Sequence, residues 1–223
     1  MTEQQPVQSK GGRPVASKLQ SRMPATDDEI REKYLERAIR ELNTLTRELQ
    51  SCEHCPRGNL MPVLGSGHPQ ADIMLLKHAP VVSEVEEGVA FYGRSGMALM
   101  KSLKRLGIDP LAVYGTLLVK CPVADPSLAD PACTARVVEE LAIVQPKMIV
   151  VMGSDALAGL NDLDIPLSRE VDAAFGTIQQ LTPSIEALVV PDIDESLDEE
   201  DAKRAFWASF RVLGDWYAEL PPY

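Results

Sequence analysis

Four short apolar segments, separated by stretches of helical periodicity, constrain the fold of this chain more than any other feature. The strand-like segments are 72–76, 113–119, 147–152 and 187–190. The helix-like segments are 28–50, 95–107, 134–144, 154–160 and 199–219. Alternating strands and helices indicate parallel strands with helical crossovers, and continuous apolar runs are typical of strands buried on both faces. The sequence therefore predicts an α/β fold, a three-layer α/β/α sandwich with a central parallel four-stranded sheet.

The chain divides into three predicted regions. Residues 1–26 have no apolar periodicity and are predicted to be a disordered basic arm. The arm has one acidic residue, Glu3, and four basic ones, Lys10, Arg13, Lys18 and Arg22. Such an arm either contacts phosphate or is simply solvated. A capping box of Thr26 and Glu29 predicts a helix over 27–51, and residues 52–220 are predicted to form the globular domain.

The net charge of −11 argues against tight binding to nucleic acid, because such proteins usually carry a basic patch. It leaves DNA and a protein as alternative partners, with DNA disfavoured. No apolar run approaches the roughly 18 residues that span a bilayer, and the N-terminal residues show no secretory pattern. These observations predict a cytoplasmic protein with no membrane partner.

Four cysteines form two pairs along the sequence. Cys52 and Cys55 have C-x2-C spacing, whereas Cys121 and Cys133 are separated by eleven residues. A reducing compartment offers little use for a disulfide, and four thiolates are the ligand count of a zinc ion or a [4Fe–4S] cluster. Spacing alone leaves three alternatives open: ordinary cysteines, zinc, or an iron–sulfur cluster, which the wide second pair fits slightly better.

Several motifs together resemble a known family. They are "CEHCPRG", "VLGSGHPQADIMLL", "FYGRSGMALMKSLKRLGID", "VYGTLLVKC" and "QPKMIVVMGSDAL", followed by a closing helix with tryptophan. From about Cys52 to Trp216 the chain resembles the iron–sulfur uracil-DNA glycosylases of families 4 and 5. The resemblance implies a uracil-DNA glycosylase-like domain, a DNA-repair hydrolase as ancestor, and a [4Fe–4S] cluster with zinc as the alternative. Its implied ligands are Cys52, Cys55, Cys121 and Cys133.

The catalytic motifs depart from that family. Where the family's first strand ends Gly-Glu-x-Pro-Gly, this chain has Lys77-His78-Ala79-Pro80-Val81. Leu117 stands where the family has an asparagine that reads the uracil edge. Asp194 stands at the place of a histidine that stabilises the departing base. Phe91 matches the residue that stacks on uracil in the family.

These replacements support two hypotheses about function. A base is read through hydrogen bonds that Leu117 cannot make, and Asp194 would repel charge that develops on a leaving base, so the first hypothesis is a degenerate homologue. It would excise little or no uracil and act by binding nucleic acid or protein. The second is an active glycosylase of altered specificity, in which Asp194 orients His78 as a general base.

Two basic residues near this site are interpreted as candidate contacts to a DNA phosphate. Lys77 ends the first predicted strand, and Arg94 follows Gly93 in the strongest family motif. Each has an ordinary alternative, since Lys77 can be a strand-end lysine and Arg94 can pair with a carboxylate.

Overall fold

The computed structural model describes residues 26–221. The predicted basic arm lies outside the described residues, apart from Thr26. Within the described part of the chain, no helix is both long and apolar enough to cross a bilayer.

A six-stranded mixed sheet forms the centre of the molecule. Its strands are β1 (Ser66–Gly67), β2 (Ile73–Lys77), β3 (Val113–Leu117), β4 (Met148–Met152), β5 (Ile178–Thr182) and β6 (Ile185–Val190), in the order β1-β3-β2-β4-β6-β5. The four central strands are parallel, as predicted. The prediction of four strands in total was wrong, because β1 and β5 add antiparallel edges.

Seven α-helices surround this sheet among the described residues. They are α1 (Asp27–Ser51), α2 (Val82–Glu87), α3 (Arg94–Arg105), α4 (Pro131–Val144), α5 (Ser154–Asn161), α6 (Ile193–Ser196) and α7 (Glu200–Ala218). The five longer helices confirm the predicted ones. The short helices α2 and α6 were not predicted, and both follow the carboxyl end of a strand.

The helices form two layers, one on each face of the sheet. Alternate residues of β2 show the division, since Met74 and Leu76 pack with residues of α4 and α5, whereas Ile73 and Leu75 pack with residues of α3 and α7. This confirms the three-layer sandwich. Because side chains alternate along a strand, the side chain of Lys77 continues the row of Ile73 and Leu75 and lies on the α3 and α7 side.

The N-terminal helix begins as predicted and packs through its second half. Thr26 Oγ1 accepts from the Glu29 backbone N–H at 3.3 Å, and the Thr26 N–H donates to Glu29 Oε2 at 2.9 Å. Leu45 and Leu49 are buried, whereas Tyr34 in the first half is exposed. Ala38, in the middle of the helix, is also buried, so the apolar stripe of α1 is covered from there to its end, directly before the first cysteine pair.

The strand order creates a reversal point at the carboxyl edge of the sheet. β2 lies between β3 and β4; the chain leaves β2 toward β3, and leaves β4 in the other direction, toward β6. In open α/β sheets, ligands bind where two neighbouring strands are followed by connections that diverge in this way. The carboxyl ends of β2 and β4, referred to below as the switch point, are therefore the expected position of a ligand.

Candidate functional site and candidate metal centre

A buried ion triad lies at the switch point. The ammonium of Lys77, the last residue of β2, is 2.8 Å from Glu84 Oε2 and 2.5 Å from Asp194 Oδ2. Lys77 is 1% exposed and Glu84 is fully buried, while the Asp194 side chain is 26% exposed. These three residues, called the Lys77 triad, carry two negative charges and one positive charge, because a buried lysine and its carboxylates are stable only when paired.

Glu84 also fixes the loop that follows β2. Its two carboxylate oxygens accept hydrogen bonds from the backbone N–H of Val81, at 2.8 Å, and of Phe91, at 2.5 Å. Phe91 has a φ of +59°, a conformation that a bulky residue adopts only when its surroundings impose it. One carboxylate therefore holds both ends of the segment 81–91 and binds Lys77.

The Phe91 ring is held against the sheet. A Cβ atom added at Gly115 of β3 would lie 2.5 Å from a ring carbon, so glycine at that position makes room for the ring. The Lys77 ammonium lies 5.7 Å from the centroid of the same ring. The Phe91 ring therefore makes a cation–π contact with the Lys77 ammonium.

Leu117, where the resembling family reads uracil, is buried in an apolar environment. It packs with Val63 and Ala90, and Val85 and Phe91 lie against this cluster. None of these side chains has a hydrogen-bond donor or acceptor. The structure thus places an apolar cluster, rather than a polar reader, at the end of β3.

The structure does not pair His78 with Asp194, as the second hypothesis required. Asp194 is bound to Lys77, whereas His78 Nδ1 lies 4.0 Å from Asp155 Oδ2 at the start of α5. The reason is geometric, because Lys77 points into the layer that contains α6 and reaches Asp194 first. The predicted catalytic roles of His78 and Asp194 are not tested by this arrangement, but their mutual contact is absent from the described site.

The two basic candidates both have carboxylate partners. Arg94 is 2.7 Å from Asp198, and both side chains are 69% exposed, which matches the alternative interpretation of Arg94. Lys77 is buried within its triad, so its ammonium is not on the surface that an external phosphate would reach. Around this edge of the sheet the acidic residues outnumber the basic ones; they are Asp155, Asp192, Asp194, Glu195 and Asp198.

Three cysteines converge beyond the carboxyl end of β3. The sulfur atoms of Cys55, Cys121 and Cys133 all lie within 4.8 Å of one another, and the three residues are buried. Cys55 follows α1, Cys121 follows β3, and Cys133 lies in the first turn of α4. Cys52 is the C-cap of α1, three residues from Cys55, and does not join this group in the structure.

The electrostatics of this group favour thiolate formation at one sulfur. The pKa of Cys133 is lowered to about 5, chiefly because the Cys121 thiol donates to its sulfur and further because the backbone N–H groups of Lys120 and Cys121 point toward it. The same donation raises the pKa of Cys121, and burial raises that of Cys55. The Asp130 N–H donates to Cys55 Sγ at 3.4 Å. Convergent soft donors with N–H support fit a thiolate-bound metal centre.

A second buried network lies beside the cysteines. Lys120, which is 0% exposed, donates to Glu140 Oε2 at 2.8 Å, to Thr116 Oγ1 at 2.6 Å and to the Leu117 carbonyl at 2.8 Å. Tyr114 donates its hydroxyl to Glu140 Oε1 at 3.1 Å. These residues are called the Lys120 network. Burial together with the Glu140 charge raises the pKa of Tyr114.

Three buried charged residues of these two networks, Glu84, Lys120 and Glu140, were not predicted as site residues from the sequence. A signal existed for Glu140, because it lies three residues after Val137 and four before Val144 and thus shares their core-facing side of α4. Lys120 likewise interrupts the apolar run "TLLVKC". A charged residue at a position where periodicity requires an apolar one indicates a buried ion pair.

Comparison with known proteins places this site in a family. The sequence model described as "Uracil DNA glycosylase superfamily" matches residues 64–210. A Type-4 uracil-DNA glycosylase of Pyrobaculum aerophilum is 30% identical over 133 residues, 55% of this chain and 66% of the relative. One from Sulfurisphaera tokodaii is 34% identical over 123 residues, 50% of this chain and 54% of the relative. One from Archaeoglobus fulgidus is 24% identical over 194 residues, 81% of this chain and 96% of the relative.

The sequence match to this superfamily covers the sheet and most of the site described above. The first two relatives are spanned over about two thirds and about half of their length, and the third over nearly all of it. The matched region 64–210 contains the whole parallel sheet, the Lys77 triad and two of the three convergent cysteines. Because the family match covers more than half of the chain, this protein belongs to the uracil DNA glycosylase superfamily.

Proposed function

We propose that this protein carries an iron–sulfur cluster on a uracil-DNA glycosylase scaffold, excises little or no uracil, and acts by binding a partner at the carboxyl edge of its sheet. The observation that carries the proposal is the Lys77 triad, which fills the switch point with a buried, fully paired ammonium. The apolar cluster around Leu117 supports it, since a flipped base would find no hydrogen-bonding partner there.

The expected loss of activity follows from the chemistry of base excision. A site built to hydrogen-bond its substrate loses orders of magnitude in discrimination when those groups are missing. Cleavage of the N-glycosidic bond also leaves negative charge on the base, and Asp194 offers a carboxylate that would repel it. The cation that could compensate, Lys77, is already paired with Glu84 and Asp194.

Charge and apolar exposure favour a protein as the partner. The acidic residues around the switch point would repel a DNA backbone, whose phosphates bind clusters of Lys and Arg. Next to them, Tyr92, Met97 and Met100 are exposed. A cavity of about 190 Å³ lies below α3, with Phe91 and Met100 in its lining. Exposed apolar and methionine-rich patches are typical of protein-binding surfaces.

For the cofactor, the proposal is a [4Fe–4S] cluster with Cys52, Cys55, Cys121 and Cys133 as ligands; zinc is the alternative. The convergence of three buried sulfurs supports a metal centre, and the position of Cys52 only three residues from Cys55 brings a fourth sulfur within reach of it. When bound, such a cluster would join the end of α1 to β3 and α4. The cytoplasmic location stays a prediction.

Uracil release tests the proposal directly. The purified protein and the Archaeoglobus fulgidus relative, as the positive control, are incubated with single- and double-stranded oligonucleotides that contain one uracil. We expect strand cleavage after alkaline treatment for the control and none above background for this protein. Release of uracil at a comparable rate would refute the non-excising assignment.

The choice between partners needs a separate experiment. Photo-crosslinking from p-benzoylphenylalanine at Met97 is compared with the same probe at Leu167, an exposed residue in a distant loop. In lysate of the source organism, we expect a protein adduct of defined mass from the probe at position 97 only. In a separate titration of fluorescently labelled DNA with the purified protein at physiological salt, we expect no change in fluorescence anisotropy. Tight DNA binding without a site-specific protein adduct would contradict the choice of partner.

Metal analysis tests the cofactor. If the centre is an iron–sulfur cluster, anaerobically purified protein should contain iron and sulfide and absorb at about 400 nm. A zinc protein would be colourless. Cys133→Ser should abolish iron binding, because it removes one of the three convergent sulfurs. Cys52→Ser decides whether this fourth cysteine is a ligand; full iron content in that variant would remove Cys52 from the proposed set.

A second candidate function rests on the contact between His78 and Asp155. His78 follows β2 directly, is partly exposed, and has the Asp155 carboxylate 4.0 Å from Nδ1, a distance from which a small movement of the exposed Asp155 side chain would form the hydrogen bond that orients a general base. This would be a glycosylase of altered base specificity. Wild type and His78→Ala are compared on DNA containing uracil, hypoxanthine or xanthine; equal background cleavage by both proteins would exclude it.

A further inference from the structure

The side chain of Lys77 lies at the place where this fold offers a ligand site. The residue ends β2 and pairs in register with Leu117 of β3 and Met152 of β4. The carboxyl ends of β2 and β4 form the switch point, and ligands of doubly wound sheets bind there. Yet Lys77 is 1% exposed, so the entire side chain is enclosed by protein at this position.

Its partners come from segments far apart in the chain. Glu84 belongs to α2, in the loop after β2, and Asp194 belongs to α6, in the segment after β6. The two residues bind the same ammonium at 2.8 and 2.5 Å. Lys77 therefore connects the loop after β2 to the segment after β6 through ion pairs.

A competing ligand would have to displace this cation. Phe91 has the Lys77 ammonium 5.7 Å from its ring centroid, so a planar base stacking on that face would compete with the cation. An anion would gain little, because the ammonium already donates a hydrogen bond to Asp194 and forms an ion pair with Glu84 at 2.8 Å. Breaking a buried ion pair leaves unpaired charges, which makes displacement costly.

From these contacts we infer that the Lys77 side chain is an internal ligand: it occupies the switch point, holds the loops after β2 and β6 together, and closes the site to external ligands. The inference rests on the proposed function and names the residue that closes the site. It also assigns a ligand class. Without the lysine side chain, the two carboxylates and the Phe91 ring form a site for a primary alkylammonium ion.

Chemical rescue tests this assignment. Lys77→Gly removes four methylene groups and the ammonium, and n-butylammonium has the same four carbons and charge. We expect the variant to melt at a lower temperature than wild type, and n-butylammonium chloride to raise its melting temperature saturably by several degrees, as a ligand that binds only the folded state does. Wild type should not respond, because Lys77 fills its site.

Matched controls separate the site from general solvent effects. Neutral n-butanol and ammonium chloride at the same concentration should not rescue Lys77→Gly, since one lacks the charge and the other the alkyl chain. Lys77→Met keeps most of the side-chain volume and should not respond to n-butylammonium. A folded Lys77→Gly variant without a saturable response, or an equal response in wild type, would overturn the inference.

A second measurement needs no folded Lys77→Gly variant. Amine acetylation with N-hydroxysuccinimide acetate, followed by mass spectrometry, reports how often the Lys77 ammonium is released. We expect wild-type Lys77 to react slowly relative to the exposed Lys101, and roughly tenfold faster in Asp194→Asn, because local opening becomes easier. Equal labelling of Lys77 and Lys101 in wild type would also overturn the inference.

The two proposals fail separately. Uracil release by wild type would refute the non-excising assignment and the closure of the site to external ligands, whereas saturable rescue and slow labelling would still show that the Lys77 side chain occupies the switch point. An unprotected Lys77 in a protein that releases no uracil would refute the internal ligand and leave the proposed function in place.

Discussion

The two buried lysines of this protein occupy comparable positions but are stabilised differently. Lys77 ends β2, and Lys120 lies three residues beyond the end of β3; both are almost completely buried. Lys77 is bound by two carboxylates from α2 and α6. Lys120 has one carboxylate, Glu140, and completes its hydrogen bonds with the Thr116 hydroxyl and the Leu117 carbonyl.

This difference predicts that the two buried ion networks differ in rigidity. The Lys120 network is neutral and joins β3, which precedes Cys121, to α4, which contains Cys133. The Lys77 triad has a net charge of −1, and one of its members, Asp194, is 26% exposed. A neutral, closed network is expected to be rigid, whereas an unbalanced and partly solvated one can open.

The largest expected effect on stability comes from Lys120→Met. This change leaves Glu140 charged and unpaired in the interior, and breaking a buried pair in this way typically costs about 3 to 5 kcal/mol. Urea unfolding measures the loss, with Lys101→Met on the exposed face of α3 as the matched control.

The double variant Lys120→Met, Glu140→Gln should recover part of the loss, because it removes the unpaired charge. The carbonyl of the introduced glutamine can still accept from Tyr114, and its NH₂ group can donate to the Thr116 hydroxyl. A loss no larger than that of Lys101→Met would show that the Lys120 network contributes nothing to folding, and the contrast with the Lys77 triad would disappear.

The next largest effect is expected for Glu84→Gln. The amide keeps the size of the side chain but places an NH₂ group where an oxygen accepts from Val81 or Phe91, and it removes the charge next to Lys77. Hydrogen bonds to charged groups contribute about 1.5 to 3 kcal/mol each, so a loss in that range is expected in thermal unfolding. Glu86→Gln, on the exposed side of the same helix, is the control; equal losses in the two variants would contradict the role of Glu84.

A smaller effect is expected for Asp194→Asn. Lys77 keeps Glu84 as a partner, and the partly exposed Asp194 site is reached by water, so the loss should be about 1 kcal/mol. Glu195→Gln, exposed and adjacent, is the matched control. A loss as large as that of Lys120→Met would show that the two buried lysines are held equally firmly, which would remove the basis for an opening triad.

The scaffold was predictable from sequence because burial on both faces leaves an unmistakable pattern. The strands β2 and β4 are buried at every residue, so their apolar runs mark them. β5 was missed because three of its five residues are polar and its first three are not fully buried. The two-residue β1 is too short to leave any periodicity, and α2 and α6 are no longer than about two turns.

The position of the site was predictable from the sequence, but the ion pairs within it were not. A lysine and a histidine directly after an apolar run mark the carboxyl end of a buried strand, and the structure places both there. Their partners follow from tertiary packing, since Asp194 lies 117 residues from Lys77 along the chain. Local patterns carry no information on which of two adjacent basic residues meets a distant carboxylate. Strand alternation directs Lys77 toward α6 and leaves His78 beside Asp155.

The smallest effect is expected for the exposed pair of Arg94 and Asp198. Both side chains are 69% exposed, so water screens the pair, and a double-mutant cycle of Arg94→Ala and Asp198→Ala should give a coupling below about 0.5 kcal/mol. Exchanging Asp198 for another carboxylate would then cost Arg94 almost nothing in stability. A coupling above that of Lys77 with Asp194, measured by the cycle of Lys77→Met and Asp194→Asn, would mean that burial does not decide which ion pairs fix this edge of the sheet.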